Sequence, residues 1–353
     1  MTGTITYPQS ARQAPAGRTR RYCATAGVAA VAAIVAAAVY SSGDAVTGGH
    51  GHALRLRTHI SHTTESGLPP VAEQAQKYAG ALSSPVTPLR QDDDEEVEHE
   101  ENSSPTSTKQ LIYHGGAVQT SPHIYLVLWG ESWSTQAGDP NGLASRLHYF
   151  YQGVGGSSLA NVLTEFSGSS GSFTNPADQY YGWLQDSSPV PAAPTTEDMA
   201  AAALRAASRI GDHTYNAQYV IATPWGVVDQ YTEQQDACGW HNWTKDGSSW
   251  ITYTSLPYLP YYATTGDHTC GSGTVTGSNL DGVTMVAAHE YEETVNDPGL
   301  DAWYDADGSE NGDKCAWTNG KVITLTNGYE FPVQTAWSNK FRTQYGDGCL
   351  YTK

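Results

Sequence analysis

The chain has 353 residues, 36 acidic against 18 basic side chains, a formal charge of −18, and 39% aliphatic, aromatic and sulfur side chains. That apolar share is ample for a buried core and excludes a wholly disordered chain, while the negative balance argues against a nucleic-acid partner. Residues 1–108 hold 11 acids and 8 bases and residues 109–353 hold 25 and 10, so most of the excess acidity belongs to the later part.

Arg12, Arg18, Arg20 and Arg21 precede an apolar run from Cys23 to Tyr40 and then small or polar residues. A positive region, an apolar run and a small-residue exit are the parts of a secretory signal. Residues 1–45 are expected to be a signal peptide cleaved near Ser41 to Ala45; the alternative is an uncleaved anchor, the one case in which a membrane contact is expected. Residues 46–108 lack a sustained apolar period and run into the charge block Gln91 to Glu101. Such a block repels itself and stays solvated, so this stretch reads as a disordered acidic linker or pro-segment. His50, His52, His59 and His62 could bind a metal as a loose cluster, although flexible His tracts this irregular are more often incidental.

Order is expected from residue 109 onward. Ile124 to Trp129 is apolar on both alternating faces, as in a strand covered on both sides. Leu143, Leu147 and Phe150 mark a helix; Leu159, Val162, Leu163 and Phe166 mark another after Ser157 as N-cap. Thr195 to Ile210, with Glu197 and Asp198 in its first turn and Gly211 after its end, is a third. Gln218 to Thr223 is a second apolar strand. From Pro224 to Ser278 the Trp, Tyr, Gly and Thr content reads as loops and short strands. The aromatics there, Trp240, Trp243, Trp250, Tyr258, Tyr261 and Tyr262, suit either a ligand groove or the core of a loop-rich lobe. Asp281 to Asn296 is a helix stopped ahead of Pro298. Val322 to Leu325 and Tyr329 to Val333 form a hairpin around Asn327-Gly328. Strands alternating with helices predict an α+β domain with a mixed sheet and packed helices, and a single domain over 109–353.

Cys238, Cys270, Cys315 and Cys349 all fall in the C-terminal third without a CxxC pair, the pattern of two disulfides in an oxidising compartment. Three connectivities are open; the simplest joins Cys238 to Cys270 and Cys315 to Cys349.

The chemistry concentrates in His289-Glu290-Tyr291-Glu292-Glu293, an HExxE pattern on the last helix. Residues four apart sit one turn along and about 40° round, so His289 and Glu293 can offer two ligands to one ion, with Glu290 beside them as a general base. Ten acids and no Lys or Arg lie between Asp281 and Asp313, a density that calls for a cation, hydrogen bonds or water to offset it. A carboxylate at the second ligand position leaves less net charge to acidify a bound water, and admits a harder ion than zinc, such as calcium or manganese. Asp305-Ala-Asp307-Gly308 has oxygen ligands for calcium, yet its glycine comes too early for an EF-hand. No GxSxG is present, and Gly168 to Gly171 reads as a linker.

The stretches Tyr113 to Gly130 (YHGGAVQTSPHIYLVLWG), Cys238 to His241 (CGWH), Ala287 to Tyr304 (AAHEYEETVNDPGLDAWY) and Glu310 to Cys315 (ENGDKC) resemble, in order, the exordium or phosphate-induced protein 1 family. The resemblance covers the 109–353 domain and none of residues 1–108. It implies a secreted protein associated with the cell wall, with a metallopeptidase-like helix and no established substrate. Carried over, the motifs make His289 and Glu293 metal ligands and Glu290 the base. The third ligand is Asp313 or Glu310, Asp313 being favoured because Cys315 pins its loop. Asp297 stands where the plant motif has Asn. Tyr304 and His241 are candidates to stabilise an oxyanion. The expectation is therefore a secreted, zincin-like, zinc-dependent hydrolase acting on peptide or cell-wall-associated substrates, another divalent cation being the alternative to zinc. A non-catalytic extracellular binding or signalling protein with a structural metal is the second reading.

Overall fold

The computed structural model describes residues 109–265 and 269–352; the expected signal segment, the acidic stretch, Cys23 and the N-terminal histidines lie outside the described residues. The main elements in chain order are β1 (His123–Trp129), α1 (Leu143–Val154), β2 (Tyr180–Asp186), α2 (Thr196–Ile210), β3 (Ala217–Ala222), β4 (Trp240–Asp246), β5 (Ser249–Leu256), α3 (Asp281–Asn296), β6 (Lys321–Thr324) and β7 (Glu330–Val333). Five strands form one sheet in the order β2-β1-β3-β5-β4. The first four are mutually parallel and β4 closes the edge antiparallel to β5. The molecule is a mixed α+β structure with a mixed sheet and two disulfides, as its alternation of strands and helices implies.

The doubly apolar pattern of β1 has a direct structural cause. Ile124, Leu126 and Leu128 point into a core shared with Leu147 and Phe150 of α1 and with Val286 and Tyr291 of α3. Tyr125, Val127 and Trp129 point the other way, onto Met199, Ala203 and Ala206 of α2. Because successive strand residues face opposite sides, only a strand covered on both faces can be apolar throughout. Helix α2 begins where its sequence signals place it. The Thr195 hydroxyl accepts from the Asp198 N–H at 3.1 Å, the Asp198 carboxylate accepts from the Thr195 N–H at 2.9 Å, and Gly211 at φ 84° ends the helix.

Three elements depart from expectation. Strand β2 lies in a stretch with no strand pattern, since it is a half-exposed edge; Gly182 at φ 120° accompanies a register shift opposite Ile124 and Tyr125. Where loops and short strands are expected after Pro224, strands of seven and eight residues form the hairpin β4–β5, in which Asp246 pairs with Ser249 across Gly247-Ser248. Its aromatics divide: Trp240, Tyr258 and Tyr262 are buried, while Trp243 is exposed and meets Trp250 edge to face. The helix expected to reach Phe166 is instead a short α-turn, Ser158–Asn161, capped by the Ser157 hydroxyl and continued by a tighter turn to Glu165.

Helix α3 is buried on almost every side, with His289 its one half-buried residue. Enclosed in this way, it needs no polar stripe for solvent and can turn carboxylates inward. Its first turn packs so closely on the preceding loop that a Cβ on Gly282 would sit 1.7 Å from the Cys270 carbonyl oxygen. Disulfides join Cys238 to Cys270 and Cys315 to Cys349, the simplest of the three connectivities. Paired cystines fit an oxidising, extracellular environment. Among the described residues no helix is long and apolar enough to cross a membrane.

Asp229, fully buried, ties the edge hairpin to the rest of the fold. It accepts from Thr232 N (2.9 Å), Thr232 Oγ1 (2.7 Å), Trp240 Nε1 (2.9 Å) and Ser255 Oγ (2.8 Å). Asp229→Ala leaves these donors buried without an acceptor and is expected to cost about 3–5 kcal/mol. Urea denaturation measures this, and a loss under about 1 kcal/mol would refute the assigned role.

Candidate metal centre

Helix α3 supplies His289, Glu290 and Glu293, strand β4 supplies His241, and the loop after Ser309 supplies Glu310 and Asp313. One turn of helix separates His289 from Glu293, and His289 Nε2 lies 3.0 Å from Glu293 Oε1. Asp313 Oδ1 stands 3.7 Å from the same nitrogen. His289, Glu293 and Asp313 thus form one group with ligand atoms close enough to share a cation. Around an ion with bonds of about 2.0–2.2 Å, ligand atoms lie roughly 3–3.7 Å apart. Asp313 reaches this place because its own N–H donates to Glu293 Oε1 at 3.1 Å and its carboxylate accepts from the Glu310 N–H at 3.0 Å.

A second group faces the other oxygen of the same carboxylate. His241 Nδ1 is 3.4 Å from Glu293 Oε2 and 3.7 Å from Glu290 Oε2. His241, Glu290 and Glu293 are all buried, and together they form a group able to hold a metal ion. Glu310 lies on the far side of the His241 ring, its Oε1 3.8 Å from Nε2. The two candidates for a third ligand therefore serve different histidines: Asp313 faces His289, and Glu310 faces His241.

Both imidazoles are oriented by what their outer nitrogens meet. Gln334 donates its Nε2 to Gly312 O at 3.0 Å, which turns its Oε1 toward His289 Nδ1 at 3.3 Å. That acceptor places the ring proton on Nδ1 and leaves Nε2 to face Glu293 and Asp313. His241 Nε2 is 3.3 Å from the Asp297 carbonyl oxygen, which likewise frees Nδ1 toward Glu293 and Glu290. Gly312 lies flat beneath the His289 ring, where a Cβ would come 2.7 Å from the ring carbon Cγ. The Asp297 Oδ1 accepts from the N–H groups of Asp301 and Ala302 at 2.6 and 2.7 Å and folds the chain back after α3, while its carboxylate also meets the Glu310 carboxyl and helps raise that group's pKa.

The electrostatics follow from burying so many carboxylates beside two rings. Burial alone favours neutral imidazole, yet Glu293, Glu290 and Asp313 around His289 override it and raise that ring's pKa well above its ordinary value. Glu310, Glu290 and Glu293 do the same for His241. Glu293 is resisted by burial, but the two rings outweigh this and hold it far below the usual carboxylate range. Burial raises Glu310, Glu290 and Asp313, with neighbouring Glu293 adding to each.

The other candidates fall elsewhere. Tyr304 sits on a two-residue strand, Trp303–Tyr304, paired with Ile112–Tyr113, its ring stacked on His114 at 3.6 Å. Asp305, considered for calcium, accepts from the N–H groups of Asp307 and Ser309 and pairs with buried Lys314 at 2.8 Å, so it organises the loop that carries Asp313. Gln334 had no sequence signal at all, and Gly312 carried one only as part of ENGDKC. His241 carried one only as part of CGWH, and its approach to Glu293 depends on the β4–β5 pairing, which an expectation of loops and short strands does not specify.

No family model, no curated protein and no solved structure matches the chain.

Proposed function

We propose that the protein is a secreted metal-dependent hydrolase of zincin-like type, akin to the exordium family, in which His289, Glu293 and Asp313 hold a zinc ion. The observation that supports this reading is the convergence of His289 Nε2, Glu293 Oε1 and Asp313 Oδ1 at ligand spacing, with buried Glu290 on the next helix position. A zinc ion bound there supplies Lewis-acid polarisation of a carbonyl and an acidified water. Glu290, whose carboxyl is raised by burial and flanked by His289 and His241, is suited to accept the proton of that water and return it to a leaving amine. The Asp313 side chain is 47% exposed, so this group is open to solvent at Asp313.

A second reading, an extracellular binding or signalling protein with a structural ion, is favoured by one observation: His241, Glu290 and Glu293 are each at most 7% exposed. Glu290→Gln in the full-length chain separates the two. The hydrolase reading expects zinc-dependent cleavage of a denatured protein substrate to fall about 10²–10⁴-fold while the ion at His289 is retained. Absence of any zinc-dependent cleavage by the wild-type chain would favour the binding protein.

A further inference from the structure

We infer that the centre takes two divalent cations, with Glu293 bridging them. This rests on the reading of the His289 group as a metal site and adds a second ion between His241 Nδ1, Glu293 Oε2 and Glu290 Oε2. The argument begins with Glu293, whose two oxygens face different histidines: Oε1 lies 3.0 Å from His289 Nε2, and Oε2 lies 3.4 Å from His241 Nδ1. The two histidines do not fall in one ligand group; they belong to two groups that have Glu293 in common. A carboxylate presenting one oxygen to each of two ligand groups is the arrangement that bridges ions about 3.5–4 Å apart in dinuclear hydrolases.

Two further observations point to an ion on the His241 side. Glu290 is 3% exposed, and its Oε2, aimed at His241 Nδ1 from 3.7 Å, has no hydrogen-bond partner; Glu310 Oε1 on the other flank of the ring is also buried without one. A buried carboxylate oxygen without a donor is costly, and a cation at that point removes the cost. Charge gives the second argument. Glu290, Glu293, Glu310 and Asp313 bring four carboxyl groups together, with Asp297 against Glu310, no Lys or Arg from Asp281 to Asp313, and the next residue, Lys314, paired with Asp305. Ionised as ligands, the first four carry twice the charge that one dication offsets, and a second dication offsets the rest. The flanking groups also match those of a metal-bound histidine, since the outer nitrogen of His241 meets the Asp297 carbonyl oxygen with Glu310 beside it. Ligation of Glu290 through Oε2 leaves Oε1 to accept a proton, so both roles fit one side chain.

The test counts ions. The full-length chain, with His50, His52, His59 and His62 changed to Ser to remove extraneous binding, is equilibrated with excess zinc, freed of unbound metal and measured by elemental analysis. Two ions per chain are expected, falling to one in His241→Gln and one in His289→Gln, each checked for native far-UV circular dichroism. Loading with manganese should give an exchange-coupled paramagnetic resonance spectrum in the parent and an isolated-ion spectrum in His241→Gln. One ion per chain that survives His241→Gln but not His289→Gln would overturn the second ion and leave the proposed hydrolase site standing. One ion lost in both variants would mean a single shared site and overturn the inference. Two ions without exchange coupling would overturn the bridge, and no ion at all would sink the proposed function as well.

Discussion

Glu293→Gln is expected to strip the protein of tightly bound metal, a larger loss than any other single substitution in the centre should cause. Glu293 is the one residue shared by both ligand groups, each oxygen facing a different imidazole, and it also accepts the N–H that draws Asp313 into place. A tetrahedral protein site binds zinc with about 10–16 kcal/mol, so each of about four ligands carries about 2.5–4 kcal/mol, or roughly 10²–10³-fold in affinity. Replacing one carboxylate oxygen by an amide nitrogen and removing the charge is therefore expected to weaken binding at least about 100-fold at each group. Competition against a chromophoric chelator reads this directly. A variant that holds zinc within about threefold of wild type would show that Glu293 is a structural partner of two imidazoles and no ligand. Glu292→Gln serves as the control: the residue is equally buried, one position away, and in neither ligand group.

The second large effect is on pH dependence. In the metal-free protein both imidazoles titrate above the ordinary histidine range because carboxylates surround them, while burial lifts Glu290, Glu310 and Asp313. A ring whose folded pKa is raised contributes stability that is fully present below about 6.5 and is lost as pH rises through its folded value. A carboxyl whose folded pKa is raised acts in the same direction, opposing folding as pH climbs past its unfolded value. Glu293 has the opposite sign, with its contribution present above the ordinary carboxylate pKa and lost as pH falls through a much lower folded value. Above pH 6, then, the metal-free fold binds more protons than the unfolded chain, and its stability should fall with pH by about 1.4 kcal/mol per unit for each proton involved. Zinc held by these rings as proposed would reverse the trend, because it takes the nitrogens only when they are deprotonated and so binds more tightly as pH rises. The gap between zinc-loaded and chelator-treated melting temperatures should widen from pH 6 to pH 8.5. A gap that stays constant or narrows, or a metal-free slope unchanged in His241→Gln and His289→Gln, would remove these rings from the linkage.

Much of the local structure was legible in advance because it is written in short-range terms. The span of α3 follows from its pattern and from Pro298, and the pairing of His289 with Glu293 follows from helical pitch alone. The capping of α2 by Thr195 and Asp198, the strand β1 with two apolar faces and the hairpin around Asn327-Gly328 are equally local. Strand β2 leaves no mark in the sequence because an edge that is half exposed on both faces has no clear alternation, and the length of β4–β5 is not marked because its Asn, Thr and Ser residues and Gly247 interrupt the apolar pattern beyond short strands.

The residues alone determined that one helix turn carries an imidazole and a carboxylate able to meet the same ion, and that four clustered cysteines can pair twice. The tertiary fold decided the rest: that β4 delivers His241 to the opposite oxygen of Glu293, that Asp313 and Glu310 part to serve different rings, and that Gln334 sets the proton of His289. The physical reason is one of range. Dihedral preferences and side-chain periodicity act over a few residues, whereas the meeting of positions 241, 293, 313 and 334 depends on how a sheet, a buried helix and two cystine-tied loops pack, which no spacing along the chain encodes.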